Sequence, residues 1–249
     1  MIASPAKPLY HYSPYLIQNK KMNGRENSVI ESFRHSLRRE CTKVNVVDMN
    51  APANSGDRYW NADEFFAAGD RFFIVEFKSQ KFSLKSEDRK PSACTLCGRL
   101  ATNIQARIWH DMAHFAAWGH KRREGDLTCQ IGVYRTLVCR HEVLPSCEHV
   151  SLECDAGSFE VSEDFIQKII CGKKGLREPE FTRYLRWLII DSETGGGSSG
   201  FPVGIYAYSQ KHGMNGRLFS QYDDFSWWAG TATAVQNKTP TSKSNGYSP

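Results

Sequence analysis

The chain has 249 residues, a formal net charge of +5 and 24% charged residues, and this length fits one large domain or one domain with an appendage. No run of about 20 apolar residues occurs, and the first residues lack the apolar stretch of a signal peptide, which excludes a membrane-spanning protein and predicts a cytoplasmic one. The mild positive charge permits a phosphate-rich partner such as nucleic acid without requiring one.

The first predicted element is an amphipathic helix that follows residue 23. Apolar residues recur at helical spacing from Val29 to Leu37 and form one stripe. Glu26 falls on the same stripe, whereas Glu31 lies outside it. Two interpretations of Glu26 stay open: a role at a metal site, or a helix N-terminal acid that the helix dipole favours.

The next segment, residues 59–78, predicts two strands joined by a tight turn near Ala68-Gly69, because two aromatic and β-branched runs flank a short link that contains glycine. With a turn at this place, Asp63 lies opposite Glu76. Lys78 shares a face with Glu76, and the apolar residues between them face the other side. Two carboxylates and one ammonium are therefore expected to converge.

This convergence indicates a metal site. Neighbouring carboxylates in an apolar strand repel each other and are costly to bury, and a divalent cation removes that cost. Carboxylate oxygens suit Mg²⁺ or Mn²⁺, so Asp63 and Glu76 are the predicted ligands. Such a metal polarises a phosphoryl oxygen and lowers the pKa of a bound water, while Lys78 orients that water or stabilises the developing charge. The alternative is a half-exposed hairpin with a structural Glu–Lys pair.

Asp63 followed on the next strand by Glu76-x-Lys78 resembles the PD-(D/E)XK nuclease superfamily, and the link is similar in length to that of archaeal Holliday-junction resolvases. Ala62 stands where the family motif has proline. The family places a further glutamate on the helix before the hairpin, and Glu26 is the matching residue. The resemblance implies a Mg²⁺- or Mn²⁺-dependent nuclease in which Asp63, Glu76, Lys78 and Glu26 are catalytic, with DNA as the favoured substrate.

The same resemblance implies an α/β fold with a restriction-endonuclease-like core, a central mixed sheet flanked by helices. Residues 99–119 are predicted to form one long helix that packs on this sheet. Gln105 and Trp109, four residues apart, resemble the glutamine-containing helix motif of RecB-like members of the superfamily. Gln105 and Lys81 are accordingly expected to contact the substrate.

His110 and His114 in this segment have the i, i+4 spacing of the zinc-peptidase helix. Asp111 replaces the glutamate that acts as general base in such enzymes, and no third ligand follows at a familiar spacing. Histidines on the helix surface or packed at its end are the favoured interpretation.

The eight cysteines are expected to be reduced thiols or zinc ligands rather than a disulfide framework, because the chain is predicted to be cytosolic. Cys94 and Cys97 have the spacing with which two thiolates reach one Zn²⁺. Several later residues are candidates for the other two ligands: Cys139, His141, Cys147, His149 and Cys154. A structural zinc at Cys94 and Cys97 is one prediction, and ordinary thiols are the alternative.

The C-terminal part is predicted to add a third core strand at 127–137, helices at 162–170 and 178–190, and an edge strand at 201–208 that follows a Gly/Ser loop at 194–200. Ser162 is expected to cap the first of these helices.

Four regions follow from these elements. They are an N-terminal arm (1–22), a nuclease-like core (23–160), a C-terminal helical and strand extension packed on the core (161–235), and a disordered tail (236–249). A metal-dependent nuclease is the predicted function. The alternative is a catalytically inactive nuclease-like module that binds nucleic acid or a protein partner as a complex subunit. A homo-oligomer and a partner subunit both stay open.

Overall fold

The computed structural model describes residues 25–53, 61–121, 127–150, 157–190, 203–209 and 213–219. They form an α/β structure in which a mixed sheet is flanked by helices, as the sequence predicts. The predicted N-terminal arm, Gly/Ser loop and tail lie outside the described residues.

The sheet is built from eight described strands. Their bounds are β1 Asp48–Pro52, β2 Glu64–Ala68, β3 Arg71–Lys78, β4 His114–Lys121, β5 Leu127–Val133, β6 Phe159–Val161, β7 Val203–Ser209 and β8 Gly213–Phe219. The spatial order is β6-β5-β4-β3-β2-β1-β7-β8. Within this order β3 and β4 are parallel, and each other neighbouring pair is antiparallel. The predicted edge strand corresponds to β7, which lies between β1 and β8 and is therefore not at the edge.

Helices cover both faces of the sheet. Their bounds are α1 Arg25–Lys43, α2 Pro91–Thr102, α3 Ile104–Ala113, α4 Tyr134–Val138, α5 Ser162–Ile170 and α6 Glu178–Ile190, and a 3₁₀ helix spans Lys81–Arg89. On one face, α1 and α5 pack through Phe33 and Phe165 against Phe73 of β3. On the other face, Tyr184 of α6 contacts His114 of β4. Within the described ranges, no helix combines the length and the apolar character needed to cross a bilayer.

The amphipathic stripe of α1 is confirmed by its packing. The ring of Phe33 is fully buried and lies 5.0 Å from that of Phe66 and 5.6 Å from that of Phe77, between ring centroids. Burial of one such ring contributes about 2–3 kcal/mol relative to exposure. The predicted boundary at residue 160 falls within β6. Phe165 of α5 belongs to the same hydrophobic core as Phe33.

The register of the β2–β3 hairpin is also confirmed. Glu64 pairs with Val75 and Phe65 with Ile74, so the next residues outward, Asp63 and Glu76, are directly opposite. The turn is formed by Gly69 and Asp70, one residue later than predicted. Gly69 has a φ of +59°, a left-handed conformation that glycine adopts without steric cost.

The single long helix predicted at 99–119 is wrong. The helix α2 ends at Thr102, and the side chain of Asn103 starts α3 by accepting a 2.9 Å hydrogen bond from the N–H of Ala106. The strand β4 begins at His114, and the first six residues of this strand are all buried. A strand that is buried on both faces is a continuous apolar run, and periodicity alone does not separate such a run from a buried helix.

Two further predictions are corrected downstream, and two are confirmed. The strand predicted at 127–137 ends at Val133 as β5, and α4 follows it. Ser162 does not cap α5, because Val161 occupies the N-cap position and the Ser162 hydroxyl donates to Glu163. The helices predicted at 162–170 and 178–190 are present with those bounds.

Candidate active site

The candidate site lies where Asp63 and Glu76 meet across the hairpin. The N–H of Asp63 donates a 2.9 Å hydrogen bond to the carbonyl of Val75, which fixes the backbone of Asp63 against β3. Its Oδ2 accepts a 2.6 Å bond from the N–H of Phe77. Glu76 and Lys78 project to the side opposite α1, because neighbouring Phe77 packs on Phe33 and side chains alternate along a strand.

Two residues outside the hairpin complete an ion cluster here. Glu87 lies in the last turn of the 3₁₀ helix, and Lys90 is the residue before α2. The ammonium of Lys78 lies 2.5 Å from Glu76 Oε1 and 2.8 Å from Glu87 Oε1. The ammonium of Lys90 lies 2.6 Å and 3.0 Å from the same two oxygens. We call Asp63, Glu76, Lys78, Glu87 and Lys90 the carboxylate–lysine cluster.

The cluster is closed on its inner side and open on its outer side. Glu76 and Glu87 have side-chain exposures of 1% and 0%, whereas the side chain of Lys90 is 32% exposed and Asp63 is half-buried. The hydroxyl of Tyr134, at the start of α4, donates a 2.8 Å hydrogen bond to Glu87 Oε2 from within the core. Solvent and solutes therefore reach the cluster past Asp63 and Lys90.

Burial and repulsion raise the pKa of both hairpin carboxyls. Burial, together with the nearby charges of Asp63 and Glu87, raises the pKa of Glu76 to about 8. Burial raises the pKa of Asp63 to about 6, although the N–H of Phe77 opposes the shift. These two carboxyls interact and titrate as a pair. In the absence of a further cation, the folded protein therefore favours at least one proton on the Asp63–Glu76 pair at neutral pH.

The other three groups of the cluster are held in their charged forms. Burial opposes the charge on Glu87, but Lys78 and Lys90 lower its pKa on balance. Burial also opposes the charge on each lysine, and Glu76 with Glu87 outweighs it, so the pKa of Lys78 and that of Lys90 are raised. Lys78 is consequently an ammonium at neutral pH and a poor proton acceptor.

Glu26 lies at the exposed N-terminal end of α1, on the approach to Asp63. Its charge is close enough to raise the pKa of Asp63. Val29, one turn further along α1, packs against Gly119 of β4. A Cβ added to Gly119 would lie 2.8 Å from a methyl group of Val29 and 2.9 Å from the carbonyl oxygen of Ser79. The start of α1 is therefore anchored beside the carboxyl ends of β3 and β4.

No hydrogen bond or ion pair among the described residues joins Gln105 or Lys81 to the carboxylate–lysine cluster. Gln105 is exposed in the first turn of α3. The ammonium of Lys81 lies 4.1 Å from the ring centre of Phe159 and 5.6 Å from that of Trp118. These are cation–π contacts with the β4–β6 side of the sheet.

The cysteines predicted as zinc ligands form disulfides in the structure. Cys94 is bonded to Cys147 and Cys97 to Cys139, with Cα–Cα distances of 5.3 Å and 5.6 Å that lie in the usual range. This differs from the reduced thiols expected from the sequence, because residues distant in the chain are brought together by α2 and the segment after α4. Across the described ranges, no group of three or more His, Cys, Asp or Glu side chains stands ready to hold a metal ion.

His110 and His114 form a buried hydrogen-bond chain with Tyr184 instead of a metal site. Nδ1 of His110 and Nδ1 of His114 lie 2.7 Å and 2.8 Å from the Tyr184 hydroxyl. The N–H of Arg135 donates to Nε2 of His110, and Nε2 of His114 lies 3.0 Å from the carbonyl of Asn61. These partners fix the protons: His110 carries one on Nδ1 and His114 carries one on Nε2. Burial lowers the pKa of both imidazoles, that of His114 to about 4.

This chain of hydrogen bonds ends two residues before Asp63. Asn61 has a φ of +49°, and its side chain accepts a 2.7 Å hydrogen bond from the Ser92 hydroxyl. Asn61 is thus held from β4 through His114 and from α2 through Ser92. The network sets the path of the backbone into β2, and with it the position of Asp63.

Sequence reasoning did not find Glu87, Lys90 or Tyr134. The segment around Glu87 is a run of charged residues that reads as a solvated surface loop. A signal was present in the i, i+3 spacing of Glu87 and Lys90 directly before Pro91. Pro91 marks a helix start, and the spacing allows the pair to face one side.

Comparison of the chain with protein-family models, with curated proteins and with solved structures finds no match.

Proposed function

We propose that this protein is a metal-dependent nuclease of the PD-(D/E)XK type that hydrolyses phosphodiester bonds, with DNA as the expected substrate. The observation that carries the proposal is the register of the hairpin. It sets two carboxylates, Asp63 and Glu76, opposite each other, with the Lys78 ammonium 2.5 Å from Glu76. The mixed sheet flanked by helices is compatible with the restriction-endonuclease-like core that the resemblance implies.

The donor set fits Mg²⁺ or Mn²⁺. Glu76 Oε2 is buried and has no hydrogen-bond partner, although its Oε1 contacts two ammonium groups. Asp63 uses Oδ2 on the N–H of Phe77, which leaves Oδ1 free of hydrogen bonds from the described residues. Mg²⁺ is commonly held by one or two carboxylates together with waters and substrate phosphates. Asp63 and Glu76 would hold it. The pKa of each is raised because burial destabilises the charged carboxylate, and a bound divalent cation would offset that destabilisation.

When bound, the metal supplies Lewis-acid polarisation of the phosphoryl group and a water of lowered pKa. The protein groups then have separate tasks. Lys78 remains an ammonium, because its raised pKa prevents it from giving up a proton at neutral pH, and it would stabilise the negative charge that develops on the phosphoryl oxygens. Glu87 and Tyr134 hold Lys78 in place from the core. Lys90 and Glu26 stand at the solvent side, where a phosphate backbone would approach.

A catalytically inactive module that binds nucleic acid or a protein partner is the second candidate, and one observation favours it. Lys78 and Lys90 both bridge Glu76 and Glu87, so two ammonium groups already compensate most of the charge of the cluster. A buried ion cluster that is satisfied by its own members needs no metal to be retained.

The deciding experiment is a cleavage assay on linear duplex, supercoiled, single-stranded and branched DNA and on RNA, with Mg²⁺, Mn²⁺ or EDTA. Wild type is compared with Glu76→Gln and Lys78→Met, and Asp70→Asn is the matched control because this acid lies in the exposed turn of the same hairpin. Metal-dependent cutting that falls by about 100-fold or more in both site variants, and stays in the control, supports the nuclease. Folded wild type that cuts none of these substrates, or site variants that cut equally well, would favour the binding module.

A further inference from the structure

Two disulfides, Cys94–Cys147 and Cys97–Cys139, join one turn of α2 to the segment that follows α4. Cys94 and Cys97 are three residues apart on α2 and therefore share one face of the helix. Their partners Cys147 and Cys139 approach this face from the segment 139–147. One helix turn and one short segment thus contribute two sulfurs each to the same side of α2.

The location is closed, as structural metal sites are. Cys97, Cys139 and Cys147 are 4%, 8% and 6% exposed, and Cys94 is half-buried beside a cavity of about 210 Å³. A small reductant or an aqueous ion can therefore approach the Cys94–Cys147 disulfide, because both residues line this cavity, while Cys97 and Cys139 are enclosed by protein.

Contacts other than the disulfides hold the later segment against the 3₁₀ helix that leads into α2. Asp88 accepts hydrogen bonds of 3.2 Å and 3.0 Å from the N–H and the hydroxyl of Ser146. Leu144 is buried in the core, and the N–H of Cys147 donates to its carbonyl in a tight turn. After reduction of the disulfides, these contacts therefore keep residues 144–147 beside the start of α2.

The surroundings favour thiolates. Cys94 lies in the first turns of α2, where the helix dipole is positive, and Arg89 and Lys90 line the adjacent cavity. Arg140 directly follows Cys139. Four thiolates around one Zn²⁺ carry a net double negative charge, which these cations offset.

We propose that Cys94, Cys97, Cys139 and Cys147 form a tetrahedral Zn²⁺ site in the reduced protein. Each disulfide is reduced to two thiols either by a dithiol, which gives up two electrons and two protons and becomes a disulfide, or by a phosphine, which gives up two electrons and becomes a phosphine oxide while water supplies the oxygen and the two protons. Zn²⁺ then displaces the four thiol protons as the thiolates coordinate it. The disulfide and zinc forms join the same two segments, so the fold accommodates either. The proposal does not depend on nuclease activity.

The test is metal analysis of the full chain, purified without oxygen in the presence of a phosphine reductant and desalted. We expect about one zinc per chain, and replacement of zinc by Co²⁺ should give the absorption bands of a tetrahedral thiolate site. The double variant Cys139→Ser with Cys147→Ser should lose the zinc. Two controls should keep it: Cys171→Ser, at an exposed free thiol, and His149→Ala, whose ring packs against Gly98 on the same helix.

The cobalt spectrum of wild type decides the matter if the double variant fails to fold. Reduced, folded wild type that shows free thiols by chemical titration but binds neither Zn²⁺ nor Co²⁺ overturns the proposal, and so does zinc that persists in the double variant. Loss of zinc in His149→Ala would overturn the four-cysteine donor set. Iron with sulfide in place of zinc would overturn the choice of metal.

Discussion

The ammonium of Lys90 lies 2.6 Å from Oε1 of Glu76, although the two residues are 14 positions apart in the chain. The contact exists because the 3₁₀ helix folds back over β3 and delivers Lys90 to the face that carries Glu76 and Lys78. A second cation therefore stands at the proposed metal site, and it has a measurable consequence.

Lys90→Met should tighten Mg²⁺ or Mn²⁺ binding. Removal of one positive charge from the cluster leaves Glu76 and Glu87 less compensated, and two unit charges about 4 Å apart interact by about 4 kcal/mol at an effective dielectric constant of 20. Even a third of this energy corresponds to about tenfold in affinity. Calorimetric titration measures the affinity for Mg²⁺ or Mn²⁺. The control is Lys85→Met, which removes an exposed lysine of the 3₁₀ helix that precedes Lys90. Weaker binding in Lys90→Met would contradict the proposed donor set.

In EDTA, the contribution of Asp63 and Glu76 to stability should fall as the pH rises from about 4 to above 8. Folding raises the pKa of Asp63 from 3.8 to about 6 and that of Glu76 from 4.5 to about 8. Because the folded state binds more protons than the unfolded state, the stabilisation is complete below the unfolded values and is lost as the pH passes through the folded ones. Urea unfolding of wild type and Glu76→Gln should give free energies that diverge in favour of the variant as the pH rises from about 4.5 to about 8. Parallel profiles would show that Glu76 is not perturbed.

Added Mg²⁺ should reverse part of this loss in wild type at pH 8, because it offsets the charge that burial disfavours. Glu76→Gln should gain little from Mg²⁺ under the same conditions. An equal increase in melting temperature on addition of Mg²⁺ to wild type and to Glu76→Gln would place the cation elsewhere.

Glu26→Gln should raise the Mg²⁺ concentration needed for half-maximal cleavage by roughly tenfold, the usual scale for a supporting group near a metal. Its charge reaches Asp63, whereas Glu31 on the same helix is paired with Arg34 at 2.5 Å. Glu31→Gln is therefore the matched control and should leave the metal dependence unchanged. This prediction depends on the proposed function, and identical metal profiles for the two variants would remove Glu26 from the site.

The imidazoles of His110 and His114 should stay neutral down to about pH 5, with the proton on Nδ1 of His110 and on Nε2 of His114. Because the unfolded chain takes up protons near pH 6.5 and these residues do not, the network should destabilise the protein as the pH falls from about 6.5 to about 4, the direction opposite to that of Asp63 and Glu76. Nitrogen-15 NMR of labelled histidine distinguishes the tautomers. Titration of either ring near pH 6.5 would be incompatible with the network.

Tyr134→Phe should lower the free energy of unfolding by about 1–3 kcal/mol, because it leaves a buried oxygen of Glu87 without its donor. The ring itself is retained, so packing against His114 at a centroid distance of 4.7 Å is unchanged. Urea unfolding at pH 7 measures the loss. An unchanged free energy would mean that Glu87 finds another donor.

Local rules were sufficient for the hairpin and for its two carboxylates. The register of Asp63 against Glu76 follows from a short turn and from alternation along two strands, and both are properties of about 20 consecutive residues. The apolar stripe of α1 is local in the same way. These features could be predicted because each is determined by neighbours in the sequence.

Only the tertiary structure decided the rest. The apolar run at His114 became a strand because β3 offered a parallel partner, and the sequence pattern of a fully buried strand is also that of a buried helix. Glu87 and Lys90 come from a charged segment that is normally solvated, and they are buried because the 3₁₀ helix and α2 fold over Glu76. Cys94 and Cys97 meet Cys147 and Cys139 across 53 and 42 residues. Contacts at such separations depend on the packing of whole elements, which no local pattern of residues encodes.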